Sequence, residues 1–464
     1  MKWFRDINRI LRTEPETWLA YLYGQQLNKL PQLTKKRPRY RGLILRMVLF
    51  FCYLAGRVGI SRLPKCKKNK VDYFVYAGSI NQMNSLDSTI EALCRQKEHV
   101  VAIAPKKFIN SLDRQSRYSS YRFGLFGLFK TLILVCFRVP GLYKTLKRRH
   151  DNRAISWYFN EFCKSYAYLV YFYDVFNVLK PDFVITANDH NVPNRCMMAV
   201  AHMLSIKTVY MQHASVSTLF PALRVDYAFL DGQSALDTYR LCEPNKAELG
   251  LAPLPKVFLS GQKKALKLTS KDVGRCIGVA INALDNVEDV LDLVFQLSQV
   301  GRTIQFRWHP GQPLSHVVRY KAALSSVPNV NISDPNEETI VSFLGKIGDL
   351  VAGNSSIHLE ASTVGIMCYF FEPTCSDSRD YYGYVKNGLV VAAESVEHLI
   401  YLLRTGDSKK PDVASVQYYS ATYQTLWDGR EGELVAQSLT RIKNGDDLSN
   451  IFGHSPFFRS GIDS

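Results

Sequence analysis

The sequence predicts an α/β fold built of two doubly wound, Rossmann-type domains behind a basic N-terminal arm. Three observations lead there. From residue 71 onward, short apolar runs of strand length alternate with stretches of helical periodicity. The alternation breaks once, at Pro253, Pro255 and Leu259-Ser260-Gly261, and then restarts. Basic charge is concentrated ahead of it: residues 1–70 hold 17 Lys/Arg against 3 Asp/Glu, whereas the other 394 hold 41 against 38. The expected division is therefore an arm at 1–70, a first αβ domain at 71–256, a second at 257–400 and a helical tail at 401–464.

Composition narrows the class. A chain of 464 residues with 47% hydrophobic and 21% charged residues has room for two ordinary domains and does not read as disordered. Its ten cysteines include no C-x-x-C pair, which argues against a zinc ribbon or a disulfide scaffold. Residues 1–13 are charged and amphipathic and do not read as a cleavable signal. Sequons at Asn331 and Asn354 would be awkward in a secretory lumen. A reducing cytoplasm is expected.

The arm reads as a contact with an anionic membrane surface. Lys35-Lys36-Arg37-Pro38-Arg39-Tyr40-Arg41 is a basic cluster, and the uncharged run Met47–Gly56 follows between Arg46 and Arg57. Ten apolar residues cannot cross a bilayer, which takes about twenty, but they can lie in its interface. Phe123–Leu142 is a second apolar patch, interrupted by Lys130 and Arg138 and followed by Lys144, Lys147, Arg148 and Arg149. It reads equally as a core helix with a solvated basic end. No nucleic-acid motif accompanies the charge, so nucleic acid is not an expected partner.

Val71–Gly78 is a strand, Leu86–Arg95 a helix and His99–Ala104 a second strand, the opening of a doubly wound domain. The intervening polar loop places Ser79 and Asn81 as acceptor-binding candidates; it lacks G-x-G-x-x-G, so no dinucleotide is implied. Residues 154–179 suit one long structural helix. Asp182–Ala187 is a strand leading into Asn188-Asp189-His190-Asn191. After the helix Pro193–Leu204, the strand Lys207–Met211 leads into Gln212-His213-Ala214-Ser215. A strand at Tyr227–Leu230 ends in Asp231-Gly232.

The second domain carries the stronger signal. Cys276–Ile281 and the helix 287–300 restart the alternation. Thr303-Ile304-Gln305-Phe306-Arg307-Trp308-His309-Pro310-Gly311 is a strand stopped by a Pro-Gly breaker. That puts Arg307 and His309 at a strand's carboxyl end, where open parallel sheets bind ligands. About forty-five residues later, Ile347–Ala352 reads as a strand, Gly353-Asn354-Ser355-Ser356 as a turn and Ile357–Val364 as a helix. Unpaired N–H groups and two hydroxyls at a helix start suit a phosphate; a serine there is otherwise an N-cap. Gly388–Ala392 is expected to be the last strand.

Arg307-Trp308-His309-Pro310 together with Gly353-Asn354-Ser355-Ser356-Ile357-His358-Leu359-Glu360-Ala361 resembles the "HP" and "SS" motif pair of bacterial GT-B glycosyltransferases that build surface polysaccharides. The pair is best known in sialyltransferases and polysialyltransferases that use CMP-sugars; teichoic-acid glycerophosphotransferases, which use CDP-glycerol, carry a similar one. The resemblance covers mainly residues 257–400. It implies a GT-B-like enzyme with two domains facing a cleft, acceptor on the first and nucleotide-activated sugar on the second.

It also implies roles. His309, with Pro310 behind it, would bond the departing phosphate beside Arg307, Gly353, Asn354, Ser355 and Ser356. Asp334 would lie near the nucleoside, and Glu360 would bond ribose hydroxyls or stand as a solvated helix carboxylate. The acceptor base would be Asp189 or His213, with Gln212 binding acceptor; the families' acidic motif normally ends in Gly, and Asn188-Asp189-His190 departs from it. No Asp-x-Asp pair stands in a suitable loop, consistent with the expected transfer without a metal or other cofactor, and the resemblance implies inversion. Expected partners are a nucleotide-sugar, a polysaccharide or lipid-linked glycan acceptor and the inner face of the bacterial cell membrane. Three alternatives stand beside this: glycerol- or ribitol-phosphate transfer from a CDP-alditol, a non-catalytic polysaccharide-assembly scaffold, and a sugar-nucleotide 2-epimerase. The last shares the architecture but has no use for a basic, greasy arm.

Overall fold

Four consecutive buried residues, Tyr73–Tyr76, form β1, the strand from which the first sheet is wound in both directions. A strand buried on both faces must be apolar throughout, as this one is, and must lie inside a parallel sheet covered by helices. The computed structural model describes residues 2–20, 42–59, 70–109, 112–149, 152–216, 218, 220, 222–242, 255–263, 274–374, 379–446 and 458–459. The basic cluster at 35–41 lies outside them.

Two compact units are present. The first comprises Met1–Asp231, Ala235–Lys264 and Arg430–Ser464; the second comprises Gly232–Ser234 and Ala265–Gly429. In the first, β2 (Val100–Ala104) and β3 (Tyr118–Ser120) lie on one side of β1. On the other lie β4 (Phe183–Thr186), β5 (Lys207–Met211), β6 (Tyr227–Leu230) and β7 (Lys256–Leu259), all parallel.

The N-terminal helices α1 (Lys2–Thr13) and α2 (Glu16–Leu19) are packed on this unit rather than extended as a free arm. Ile7, Ile10, Leu11, Trp18 and Leu19 are buried. Amphipathic periodicity is satisfied here by a protein surface. Lys2, Arg5, Arg9 and Arg12 share the opposite, exposed face. The Glu16 carboxylate is buried and bonded by Arg138 at 2.9 Å and the Tyr166 hydroxyl at 2.8 Å, so one of the cations counted toward a membrane patch is spent on an internal pair.

The helix α3 (Leu43–Ala55) follows. The helix α4 (Ile80–Arg95) starts six residues earlier than its apolar pattern announces, because Ser79 caps it and Gly78 N–H donates to Gln82 Oε1 at 2.7 Å. After the short α5 (Leu112–Arg117) come α6 (Leu125–Arg149) and α7 (Asn152–Leu179), packed on one another. α7 also meets α1, α2, α3 and α8 (Val192–Met203), and its Phe162, Tyr166, Leu169, Phe172 and Phe176 form the buried spine of this helical layer.

α9 (Gln233–Leu241) follows β6. In the second unit the parallel order is β10-β9-β8-β11-β12-β13: Val330–Ser333, Ile304–Arg307, Cys276–Ala280, Ile347–Ala352, Met367–Phe370 and Val391–Ala392. α10 (Val287–Ser298), α11 (Leu314–Leu324) and α14 (Val396–Thr405) share one core with Val279, Phe306 and Val351. α12 (Ile340–Lys346), α13 (Ile357–Thr363) and α15 (Val413–Tyr419) share the other with Ala280, Leu350 and Ala352. The last helix, α16 (Glu431–Asn444), returns to the first unit and packs on α4, and β14 (Phe458–Arg459) pairs antiparallel with β7.

Candidate functional site

In the second sheet the first strand, β8, has β9 on one side and β11 on the other. The winding direction therefore reverses between β8 and β11, and a doubly wound sheet opens its ligand crevice at the carboxyl ends of such a pair. The register sets the three ends level: Ala280 is paired with Arg307 and Ala352 with Ala280. The turn 353–356 and the loop carrying His309 thus emerge at one end of the sheet, with the β8 loop between them. Two strand spacings, about 10 Å, separate their backbones.

The turn is held from several sides. Asn282, just past β8, donates to the Asn354 carbonyl at 3.2 Å. Asn354 Nδ2 donates to Glu372 at 2.5 Å, and its Oδ1 accepts from Tyr381 N–H at 2.7 Å. A Cβ on Gly353 would stand 2.9 Å from Glu372 Cγ, so the close approach needs glycine. His358 Nε2 lies 3.0 and 3.1 Å from the carbonyls of Ala352 and Gly353, to which it donates as a neutral imidazole; full burial pushes its pKa down to about 4.

Ser355 Oγ is 3.5 Å from Ile357 N–H, a weak contact. Ser356 occupies the N-cap position in αR geometry and makes no capping bond. The capping alternative therefore does not account for Ser356, and its hydroxyl remains open to a ligand. α13 has only seven residues, so little macrodipole backs the site.

His309 is exposed, and its Nδ1 accepts from Gly311 N–H at 3.0 Å. That bond puts the proton of the neutral ring on Nε2, leaving a donor available to a phosphate oxygen. Partial burial lowers the ring's pKa below its ordinary value. Pro310 ends the strand and is exposed.

Arg307 and Asp334 are committed elsewhere. Arg307 is buried and donates to Ser333 Oγ at 2.7 Å and the Glu338 carbonyl at 3.0 Å, so its guanidinium ties β9 to β10 and to the segment ahead of α12. The cause is strand parity: Phe306 and Trp308 face one core, which turns Arg307 to the other face. Asp334 accepts from Asn336 N–H at 3.0 Å and from Lys321 at 3.2 Å. Glu360 is buried rather than a solvated helix carboxylate, and close enough to Arg307 to interact with it electrostatically. Asp285 and Glu372 were not anticipated. Burial, reinforced by Glu372 and Asp289, raises the Asp285 carboxyl to about 6. Carboxylates beside the turn can accept hydrogen bonds from hydroxyl groups.

In the first unit the reversal falls between β1 and β4. A cavity of about 610 Å³ opens at their carboxyl ends, lined among others by Tyr53, Arg57, Tyr76, Tyr121, Tyr168 and His190. Ser79 caps α4 and Asn81 is exposed on its first turn; neither lines the cavity. Gln212 is buried and used as a clamp, donating to the Ala214 carbonyl and accepting from Asp231 N–H. His213 follows the end of β5, half-buried.

Asp189 Oδ1 lies 2.8 Å from His190 Nδ1, while Oδ2 is buried with no hydrogen-bond partner. The carboxylate thus holds the neighbouring imidazole, and His190 is the member of the pair that reaches the cavity. A carboxylate–imidazole pair between adjacent residues has no periodic signature, so the sequence hid it. Asp231, in the Asp-Gly dipeptide, is bonded by buried Lys263 at 2.9 Å. Among the described residues no cluster of His, Cys, Asp and Glu could hold a metal ion.

No protein-family model and no curated protein sequence matches the chain. Solved structures do. A UDP-GlcNAc 2-epimerase from Methanocaldococcus jannaschii aligns with TM-score 0.51 and 14% identity, covering 80% of this chain and 99% of its own. The UDP-GlcNAc 2-epimerase of Neisseria meningitidis, solved with UDP-GlcNAc bound, gives 0.51 and 12%, covering 80% and 100%. A Listeria monocytogenes protein provisionally assigned the same activity gives 0.54 and 11%, covering 82% and 98%. At such identities the likeness is one of fold. The chain has a GT-B-like fold of two parallel-sheet α/β domains.

Proposed function

We propose that the protein is a glycosyltransferase that moves a sugar from a nucleotide-activated donor, a CMP-sugar, to a lipid-linked or surface glycan. The reading is carried by one observation: at the carboxyl end of the second sheet, an outward Nε2–H on His309 and the uncapped hydroxyl of Ser356 flank the β8 loop. Preorganised donors of this kind stabilise a departing phosphate. The acceptor hydroxyl attacks the anomeric carbon, the bond from that carbon to the phosphate oxygen breaks, and the nucleotide leaves with the electron pair. The acceptor's proton passes to a base, for which the Asp189–His190 pair and His213 are the candidates.

A position on the inner face of the bacterial membrane accompanies this reading. Ile44, Val48 and Phe51 of α3 and Phe126, Phe129 and Phe137 of α6 are exposed apolar side chains. The two helices are tied by a parallel bridge between Val58 and Phe123. Exposed Lys144, Lys147 and Arg148 follow on α6. α6 is long and apolar enough to cross a bilayer by length and composition, yet one face is packed on α7, which favours lying in the interface.

Product analysis tests the chemistry. With CMP-sugar and a lipid-linked glycan, a new glycosidic linkage is expected. A phosphodiester from CDP-glycerol would move the assignment to alditol-phosphate transfer, and interconversion of UDP-GlcNAc with its 2-epimer would move it to the epimerases.

A further inference from the structure

The cavity of the first unit contains a hydrogen-bond donor that no described residue accepts. The hydroxyls of Tyr53, Tyr168, Tyr121 and Tyr76 form a chain with three O···O contacts, each 3.3 Å. Burial pushes the pKa values of Tyr76, Tyr121 and Tyr168 up, so these phenols keep their protons. Four O–H groups share three bonds. One proton is therefore left over in every arrangement of the chain, no acceptor for it stands among the described residues, and it is free for solvent or a ligand.

Charge says what kind of acceptor. The Arg57 guanidinium stacks over Tyr53 at 4.4 Å and is near enough to all four phenols to interact with them, and no carboxylate pairs with it among the described residues. Lys107 lines the same cavity with no carboxylate partner among the described residues, while Lys164 is neutralised by Glu161. Tyr76 and Tyr168 are 2% and 4% exposed, so the donors are fixed by packing. A spare phenol donor beside a guanidinium and an ammonium that no described carboxylate neutralises suits an oxyanion with several acceptor oxygens.

Position says what the oxyanion is attached to. Tyr53 belongs to α3, which exposes Ile44, Val48 and Phe51, and Tyr121 stands four residues before α6, which exposes Phe126 and Phe129. The polar cavity and the apolar faces thus share the same two segments.

We infer that this tyrosine–arginine cavity binds the phosphate group of a phosphate ester, and that the ester's tail is apolar and lies along the exposed faces of α3 and α6. The inference rests on reading the first unit as the acceptor side, and it names the acceptor's class: an amphiphile carrying a phosphate next to the hydroxyl to be glycosylated. A water-soluble phosphate ester shares the headgroup chemistry, and the experiment separates the two sources.

The test is calorimetric binding to the full chain without nucleotide, so it stands apart from catalysis. The probes are glycerol 3-phosphate, monomeric dihexanoyl phosphatidic acid and, as a phosphate-free control, dihexanoyl glycerol. Phosphatidic acid is expected to bind at least tenfold more tightly than glycerol 3-phosphate, with no binding of the control. Arg57→Gln and Tyr121→Phe, which keeps the ring packing, are each expected to weaken it at least fivefold with an unchanged melting temperature. Equal affinity for both phosphates would overturn the apolar tail and leave a soluble ester. Binding of neither, or affinities untouched by both substitutions, would overturn the site. A chain that binds phosphatidic acid as expected but forms no glycosidic product would keep this inference and lose the transferase assignment.

Discussion

The backbone N–H of Gly311 donates to Nδ1 of His309 at 3.0 Å, and this bond decides which nitrogen of the ring is presented outward. A Cβ at residue 311 would stand 3.1 Å from that same nitrogen. Gly311→Ala is therefore expected to turn the imidazole and to weaken nucleotide binding by about tenfold, with stability changed by less than about 1 kcal/mol. Nitrogen-15 spectra of the His309 ring should show the Nε2–H form in the wild type and lose it in the variant.

The same ring sets a pH dependence. Burial holds its pKa below the ordinary histidine value, so it is neutral in the free protein near pH 7. A bound phosphate favours the charged form and raises that pKa. Binding should take up a proton, and CMP affinity should rise as pH falls from about 7 toward about 6. Calorimetry in buffers of different ionisation enthalpy measures the uptake directly.

A second histidine governs stability instead. His358 has a pKa near 4 in the folded chain against 6.5 for the ordinary group. A depressed histidine pKa means that the unfolded chain binds more protons, so stability is complete above about pH 6.5 and is lost as pH falls toward 4. The loss is about 3 kcal/mol at most. His358→Gln keeps an N–H donor for the 352 and 353 carbonyls without a titrating ring, and urea unfolding at pH 7 and pH 5 should show a smaller difference than in the wild type.

In the first unit, buried Lys263 donates to Asp231, Ser260 and the Gly261 carbonyl. Lys263→Met removes the buried ammonium that pairs with the Asp231 carboxylate and should cost about 3–5 kcal/mol. Adding Asp231→Asn should recover part of it, since the amide carries no charge for the lost ammonium to balance. Denaturant unfolding of the single and double variants checks both statements.

How far the sequence reached depended on whether a feature has a period. The parallel strands were legible because four or five buried residues in a row leave an apolar run, as in Tyr73–Tyr76 and Phe183–Thr186. The strand–turn–helix order at 347–363 and the break after His309 were legible through Gly, Pro and Ser. Side-chain destinations were not. Arg307 looked like an anion ligand because it stands at a strand end, but parity turned it toward Ser333. The start of α4 was hidden because its first turn is polar and held by a cap. The phenol chain joins residues 53, 76, 121 and 168, which no local pattern connects.

Membrane attachment has its own test. Phe126→Glu with Phe129→Glu changes two exposed side chains and no packed one. Each exposed phenylalanine that enters an interface contributes on the order of 1–2 kcal/mol. The double variant should lose at least about tenfold in sedimentation with vesicles containing phosphatidylglycerol, while its melting temperature stays the same.

The central claim is that the His309 loop and the 355–356 turn hold one nucleotide. Calorimetric titration of CMP into the wild type, His309→Ala and Ser355→Ala/Ser356→Ala tests it most directly. The account expects measurable binding by the wild type and at least a tenfold loss in each variant, at unchanged melting temperature. CMP binding that is absent from the wild type, or indifferent to either loop, would contradict it.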